Sequence, residues 1–110
     1  MQPKAIAFLA REAALDKKAE EPILLDVGRY TAISHYFLIT HGNSDRQVRA
    51  IADHIAEILE AKKVKLWHCE GRDFGQWILL DFGFLIVHVF LKEKRDFYAL
   101  ERLWGEAKPL

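Results

Sequence analysis

Residues Trp77–Phe90 read WILLDFGFLIVHVF. The stretch is almost wholly apolar, is interrupted near its middle by Asp81 and Gly83, and carries a histidine, His88, near its end. Successive side chains of a strand point to opposite faces, so Trp77, Leu79 and Asp81 share one face. Phe82-Gly83 is short enough to turn an antiparallel hairpin, which predicts strands over 76–82 and 84–91. A two-residue turn there sets Asp81 opposite Phe84, Leu79 opposite Ile86 and Trp77 opposite His88. One face of the hairpin is then purely aliphatic (Ile78, Leu80, Leu85, Val87, Val89) and reads as core. The other mixes aromatic and aliphatic groups with Asp81 and His88. Aromatic stripes are usually core. A mixed face holding a tryptophan also suits docking, because the ring buries much area and keeps a polar handle.

Working outward, Pro3 suits the first turn of a helix, and Ile6, Leu9, Ala10 and Ala13 recur on one face over 3–18. Glu20-Glu21-Pro22 ends that helix. Short branched runs at 23–27 and 36–40 (YFLIT) read as strands covered on both faces. Ser44 followed by Gln47 forms a capping box. It opens a helix with the stripe Val48, Ile51, Ile55, Ile58 and Leu59, ending near 61–63. A third strand is expected over 64–69. Residues 95–106 read as a last helix that buries Phe97, Leu100, Leu103 and Trp104, with Gly105 and Pro109 marking its end. The order is αββαβββα, a single α/β domain with a mixed five-stranded sheet packed by helices. The segment from YFLIT through the capped helix to VKLWHC has the length of a βαβ unit; if its strands are parallel neighbours, the crossover is right-handed.

Composition narrows the function. The chain has 110 residues, 51% of them hydrophobic, which suits one packed domain. Sixteen basic residues balance sixteen acidic ones. Without a basic excess or stripe, direct reading of nucleic acid is not expected. The runs Lys17-Lys18, Lys62-Lys63 and Lys92-Glu93-Lys94-Arg95 read as solvated surface. Cys69 is the single cysteine, so no intrachain disulfide can form, which fits a reducing compartment. Asp81 and Gly83 break the longest apolar run, so no membrane span is expected. No signal-peptide pattern opens the chain, and its early acids argue against a transit peptide. The expected location is cytoplasmic.

Catalytic chemistry finds little support. His35, His41, His54, His68, His88 and Cys69 lack metal-ligand spacing, and neighbours His68 and Cys69 point to opposite strand faces. Ser34 and Ser44 lie near histidines in sequence only, and Ser44 already serves as an N-cap. Gly42-Asn43-Ser44 opens a helix after a strand, as in nucleotidyltransferases, and a helix N-terminus can hold an anion. That chemistry needs paired carboxylates for metal ions. The strand VKLWHC has none, and Asp81 stands alone on its strand. A nucleotide-binding or nucleotidyltransferase-like enzyme is therefore the alternative reading. No cofactor and no metal are expected.

Five pieces, in this order and spacing, resemble the ribosomal silencing factors, also called the Iojap family: YFLITHGNSDRQVRAIADHI, the Glu70-Gly71 pair, GQWILLDFG, IVHVF and RDFYALERLW. The resemblance spans about Lys4 to Trp104. It implies a nucleotidyltransferase-like core without the activity. It also implies a protein that binds the large ribosomal subunit at the protein numbered fourteen on its intersubunit face. Bound there, it would block joining of the small subunit and lower translation when nutrients are scarce. Some members form homodimers, so a second copy is a further implied partner. The implied contact surface lies around the hairpin, at Trp77, Leu79, Asp81, Phe82, Phe84 and His88, with Tyr98 beyond it. Gly83 also matches the family pattern, as do Glu101 and Trp104 in the last helix and Gly42, Ser44, Gln47 and Asp53 in the capped one. The chain departs from the pattern at His35 and Phe84, where the family usually has Asp. The second departure removes a charge from the turn.

Overall fold

Alternation along the central strands divides the apolar residues between two faces of one sheet. The computed structural model describes residues 1–110. In chain order the elements are α1 (Pro3–Asp16), β1 (Glu20–Asp26), β2 (Tyr36–Gly42), α2 (Asp45–Ala61), β3 (His68–Glu70), β4 (Trp77–Asp81), β5 (Leu85–Leu91), α3 (Lys92–Tyr98), α4 (Leu100–Leu103) and β6 (Lys108–Pro109). The sheet order is β3-β4-β5-β2-β1-β6. Only β2 and β5 pair in parallel; the other neighbours are antiparallel.

The α/β class and the mixed sheet are as expected, and four details differ. The sheet has six strands rather than five, because β6 pairs with β1 through Leu25–Pro109 and Asp26–Lys108. The third strand is three residues, not six, and forms one sheet edge. The parallel neighbour of β2 is β5 rather than β3, so α2 leads to the far edge and the chain returns through the β4–β5 hairpin. The last helix breaks at Ala99, whose φ of 46° is left-handed, into α3 and α4. The expected buried face is buried only in part. Phe97 is 78% exposed and Leu103 is exposed too, while Arg95, expected on the surface, is buried.

On one face of the sheet, α1 and α2 bury Ile6, Ala10, Val48, Ile51, Ile55 and Leu59 against Leu24, Leu38, Ile78, Leu80, Val87 and Val89. Alanines at positions 7, 10, 13 and 14 let α1 approach closely. The Ser44 hydroxyl accepts from the Gln47 backbone N–H at 3.1 Å. The Gln47 side chain accepts from the Asn43 N–H at 2.8 Å and donates to the carbonyls of Lys17 and Lys18. One side chain thus ties the entry of α2 to the exit of α1. On the other face a smaller cluster gathers Leu25, Val27, Phe37, Ile39, Ile86, Phe90 and Ala107, with Leu100 and Trp104 packed over it. The β1–β2 half of that face is covered by the C-terminal segment.

Candidate docking face

The hairpin turn sits one residue later than the spacing suggests, which shifts the cross-strand pairing by two. Phe82 donates its N–H to the Leu85 carbonyl at 2.9 Å, so Gly83-Phe84 make the turn. Trp77 pairs with Phe90, Leu79 with His88 and Asp81 with Ile86. Gly83 takes a φ of 87°, which glycine adopts without a Cβ penalty. The Asp81 carboxylate accepts from the Gly83 N–H at 2.8 Å and closes the turn. A shift of two residues in the pairing leaves the side chains of β4 and β5 on their expected faces; Phe84, in the turn, leaves the Trp77 face for the helix-side core.

Trp77, Leu79 and Asp81 are half-buried and alternate with the buried Ile78 and Leu80. Beside them on β3, Glu70 stands opposite Leu79 and His68 opposite Asp81, and the His68 ring lies 3.1 Å from the Glu70 carboxylate. Glu70, Gly71, Trp77 and Leu79 line an open cleft of ≈ 340 Å³. Gly71 has to be glycine here: a Cβ would come within 2.0 Å of the Trp77 carbonyl oxygen.

Trp77 is braced from beneath and from the side. Its indole N–H donates to His88 Nδ1 at 3.2 Å. Its ring lies 4.8 Å from that of Phe90 and 4.8 Å from that of Tyr98, centroid to centroid. The aromatic packing continues from Phe97 through Tyr98 to Trp77, and separately from His88 through Phe37 to Trp104. The bond from Trp77 places the His88 proton on Nε2, which is buried without a partner. Burial pushes the imidazole pKa down to about 4, so the ring is neutral at neutral pH.

Of the residues expected at a contact surface, Trp77, Leu79, Asp81 and Tyr98 lie together on this face and reach solvent. His88 shares the face but is 6% exposed; it orients Trp77 rather than offering surface. Phe82 is 2% exposed and packs into the helix-side core, because alternation turns it away from Asp81. Phe84 packs against that core as well. It opens instead onto a second hollow of ≈ 410 Å³ with Ile33, His35, Trp67 and Gly83. Sequence reasoning missed Glu70 as a wall of the cleft, although the pair Glu70-Gly71 stood out. It also missed Arg95, which α3 sets against the start of β1 and the end of β2. Nowhere do three or more His, Cys, Asp or Glu side chains converge as a metal cluster would need. No helix is long and apolar enough to cross a membrane.

The family model described as "Ribosomal silencing factor during starvation" matches residues 2–110. The chain is 43% identical over 107 residues to the ribosomal silencing factor RsfS of Bacillus subtilis, covering 97% of this chain and 91% of that one. It belongs to the ribosomal silencing factor family. Family resemblance extends to plants: the chain is 34% identical to the chloroplastic protein Iojap of Zea mays, over 96% of this chain and 46% of that longer one. The fold matches a crystal structure of a Chromobacterium violaceum protein with a TM-score of 0.94 at 37% identity, covering 100% of this chain and 92% of that one. The curated relatives are named for ribosomal silencing, a regulatory role. Within this family member, the half-covered sheet face bearing Trp77 is the apolar surface next to an open cleft.

Proposed function

We propose that the chain is a translational repressor that acts by occupying space. It binds the large ribosomal subunit at the protein numbered fourteen on the intersubunit face and keeps the small subunit from joining, lowering translation when nutrients are limiting. It works in the cytoplasm, as a binding protein and not as an enzyme. The observation that carries this reading is the half-covered β4 side of the sheet. Trp77 and Leu79 face a cleft there beside Tyr98, with Asp81 and Glu70 at the rim. An aromatic anchor held rigid by its neighbours loses little freedom on docking. The family membership supports the ribosome as the partner.

Co-sedimentation with separated ribosomal subunits tests it. Truncating a docking anchor typically costs about 2 kcal/mol or more, roughly a thirtyfold loss of affinity. Trp77→Ala is therefore expected to leave the large-subunit pellet and to restore subunit joining in a parallel assay. If folded Trp77→Ala pellets as the parent chain does, the face is not the docking site. Sizing the free protein separates a second copy on this face from a ribosomal partner.

A further inference from the structure

A buried cation stands behind the docking face. Arg95 lies in α3, three residues before Tyr98, and is 4% exposed. Its Nε donates to the Glu101 carboxylate at 3.0 Å. One terminal nitrogen donates to the carbonyls of Glu20 and Glu21, at 3.3 and 2.8 Å, and meets His41 Nδ1 at 2.9 Å. A guanidinium only donates, so His41 Nδ1 accepts and its proton sits on Nε2, which lies 3.8 Å from the Glu20 carboxylate. The irregular start of β1, where Glu21 has a φ of 45°, brings two consecutive carbonyls to this one nitrogen. One side chain thereby ties α3 to β1, to the end of β2 and to α4. Helix positions three apart lie on one side. The clamp that draws Arg95 inward therefore also sets Tyr98 against Trp77.

We propose that Arg95 is a positioning residue for the docking face, fixing α3 so that Tyr98 braces Trp77, and that its contact with His41 makes this brace sensitive to protons. The consequence for docking rests on the function proposed above; the positioning itself does not. Protonated His41 would present an N–H at Nδ1, where the guanidinium already points a donor. Two donors and two positive charges would then face each other in a site nearly closed to water. Glu20 and Glu21 on β1 favour the imidazolium; Arg95 and Lys92 on α3 oppose it; Glu101 on α4 meets Arg95. Burial, the largest influence, and Arg95 hold the ring neutral below the ordinary histidine value. The brace is thus intact at neutral pH and loosens on acidification.

Nuclear magnetic resonance on the intact chain, followed by co-sedimentation with large ribosomal subunits, tests this. Arg95→Lys keeps the charge but lacks the planar fork that serves these acceptors. It is expected to move the Tyr98 ring signals toward those of an exposed tyrosine and to weaken large-subunit binding about tenfold. Methyl signals of Leu38 and Ile51, in the helix-side core, should stay in place. Stepwise acidification of the parent chain from about pH 7.5 to below the ordinary histidine range is expected to move Tyr98 in the same direction. His41→Asn keeps an acceptor in the place of Nδ1 without a titrating ring, and its Tyr98 signals should hold still. Unmoved Tyr98 signals in Arg95→Lys, or the same acid response with and without His41, overturn the proposal. Should Arg95→Lys fail to fold, the His41→Asn comparison alone decides. If Trp77→Ala binds subunits normally, the docking reading fails while the Tyr98 signals still settle the positioning role.

Discussion

His88 shows how one residue's chemistry is set by what surrounds it. In sequence it was the histidine of an apolar strand and invited a catalytic role. In the structure it accepts the Trp77 indole proton and is otherwise sealed in. The sign of its pH effect follows directly. The folded pKa is about 4 against 6.5 unperturbed, so the unfolded chain takes up a proton that the fold excludes. Its contribution is complete above pH 6.5 and is lost as pH falls toward 4. At about 1.4 kcal/mol per pH unit, that loss amounts to about 3 kcal/mol. Urea unfolding at a series of pH values should show this slope, and His88→Asn, which cannot titrate, should flatten it. An equal slope in the variant would assign the acid sensitivity elsewhere. The environment of Arg95 was less legible. It stands in a run of charges that looks solvated, and only the turn of α3 against β1 and β2 shows it to be a buried clamp.

At the scale of elements, the hairpin was readable by face and not by register. Moving the turn from Phe82-Gly83 to Gly83-Phe84 shifts the pairing by two residues yet preserves which side each strand residue takes; only Phe84, in the turn itself, changes side. The aliphatic face and the Trp77 face were therefore assigned correctly from alternation. The pairing was decided by the left-handed backbone of Gly83 and by the Asp81 carboxylate that receives its N–H. The Gly71 loop behaves similarly. Nothing in its local sequence reveals that the loop folds onto the Trp77 carbonyl, and a Cβ there would overlap that oxygen. Gly71→Ala also meets a φ of 82°. Overpacking and left-handed strain together should cost about 3 kcal/mol. Thermal unfolding should show Gly71→Ala well below the parent, with Gly83→Ala less affected because the exposed Trp67 ring it meets can swing away. Equal behaviour of the two variants would contradict this account of the loop. The last helix was legible as helical, and its break at Ala99 was not, because alanine carries no local signal for a left-handed residue.

Across the whole molecule, the two sheet faces differ in how they are covered. One is closed by two amphipathic helices whose stripes were plain in the sequence. The other is closed over β1 and β2 by a C-terminal segment that ends in β6, with the Leu110 N–H on the Leu24 carbonyl and Arg11 on the Leu110 carbonyl. A chain stopped after Glu106 should therefore lose protection first in β1. Amide hydrogen exchange should quicken there while β5, paired on both sides, stays slow. Uniform loosening, or no change in β1, would mean that the tail does not hold that edge. The sequence by itself determined the α/β class, the helix-side core, the face on which each residue of the two hairpin strands stands and the family, because periodicity and motif order are local properties of the chain. Tertiary structure alone decided the parallel partner of β2, the sixth strand, the broken last helix and the half-covered face at Trp77. Each of these depends on which distant segments meet, and the free energy of such contacts is not written in any one stretch of residues.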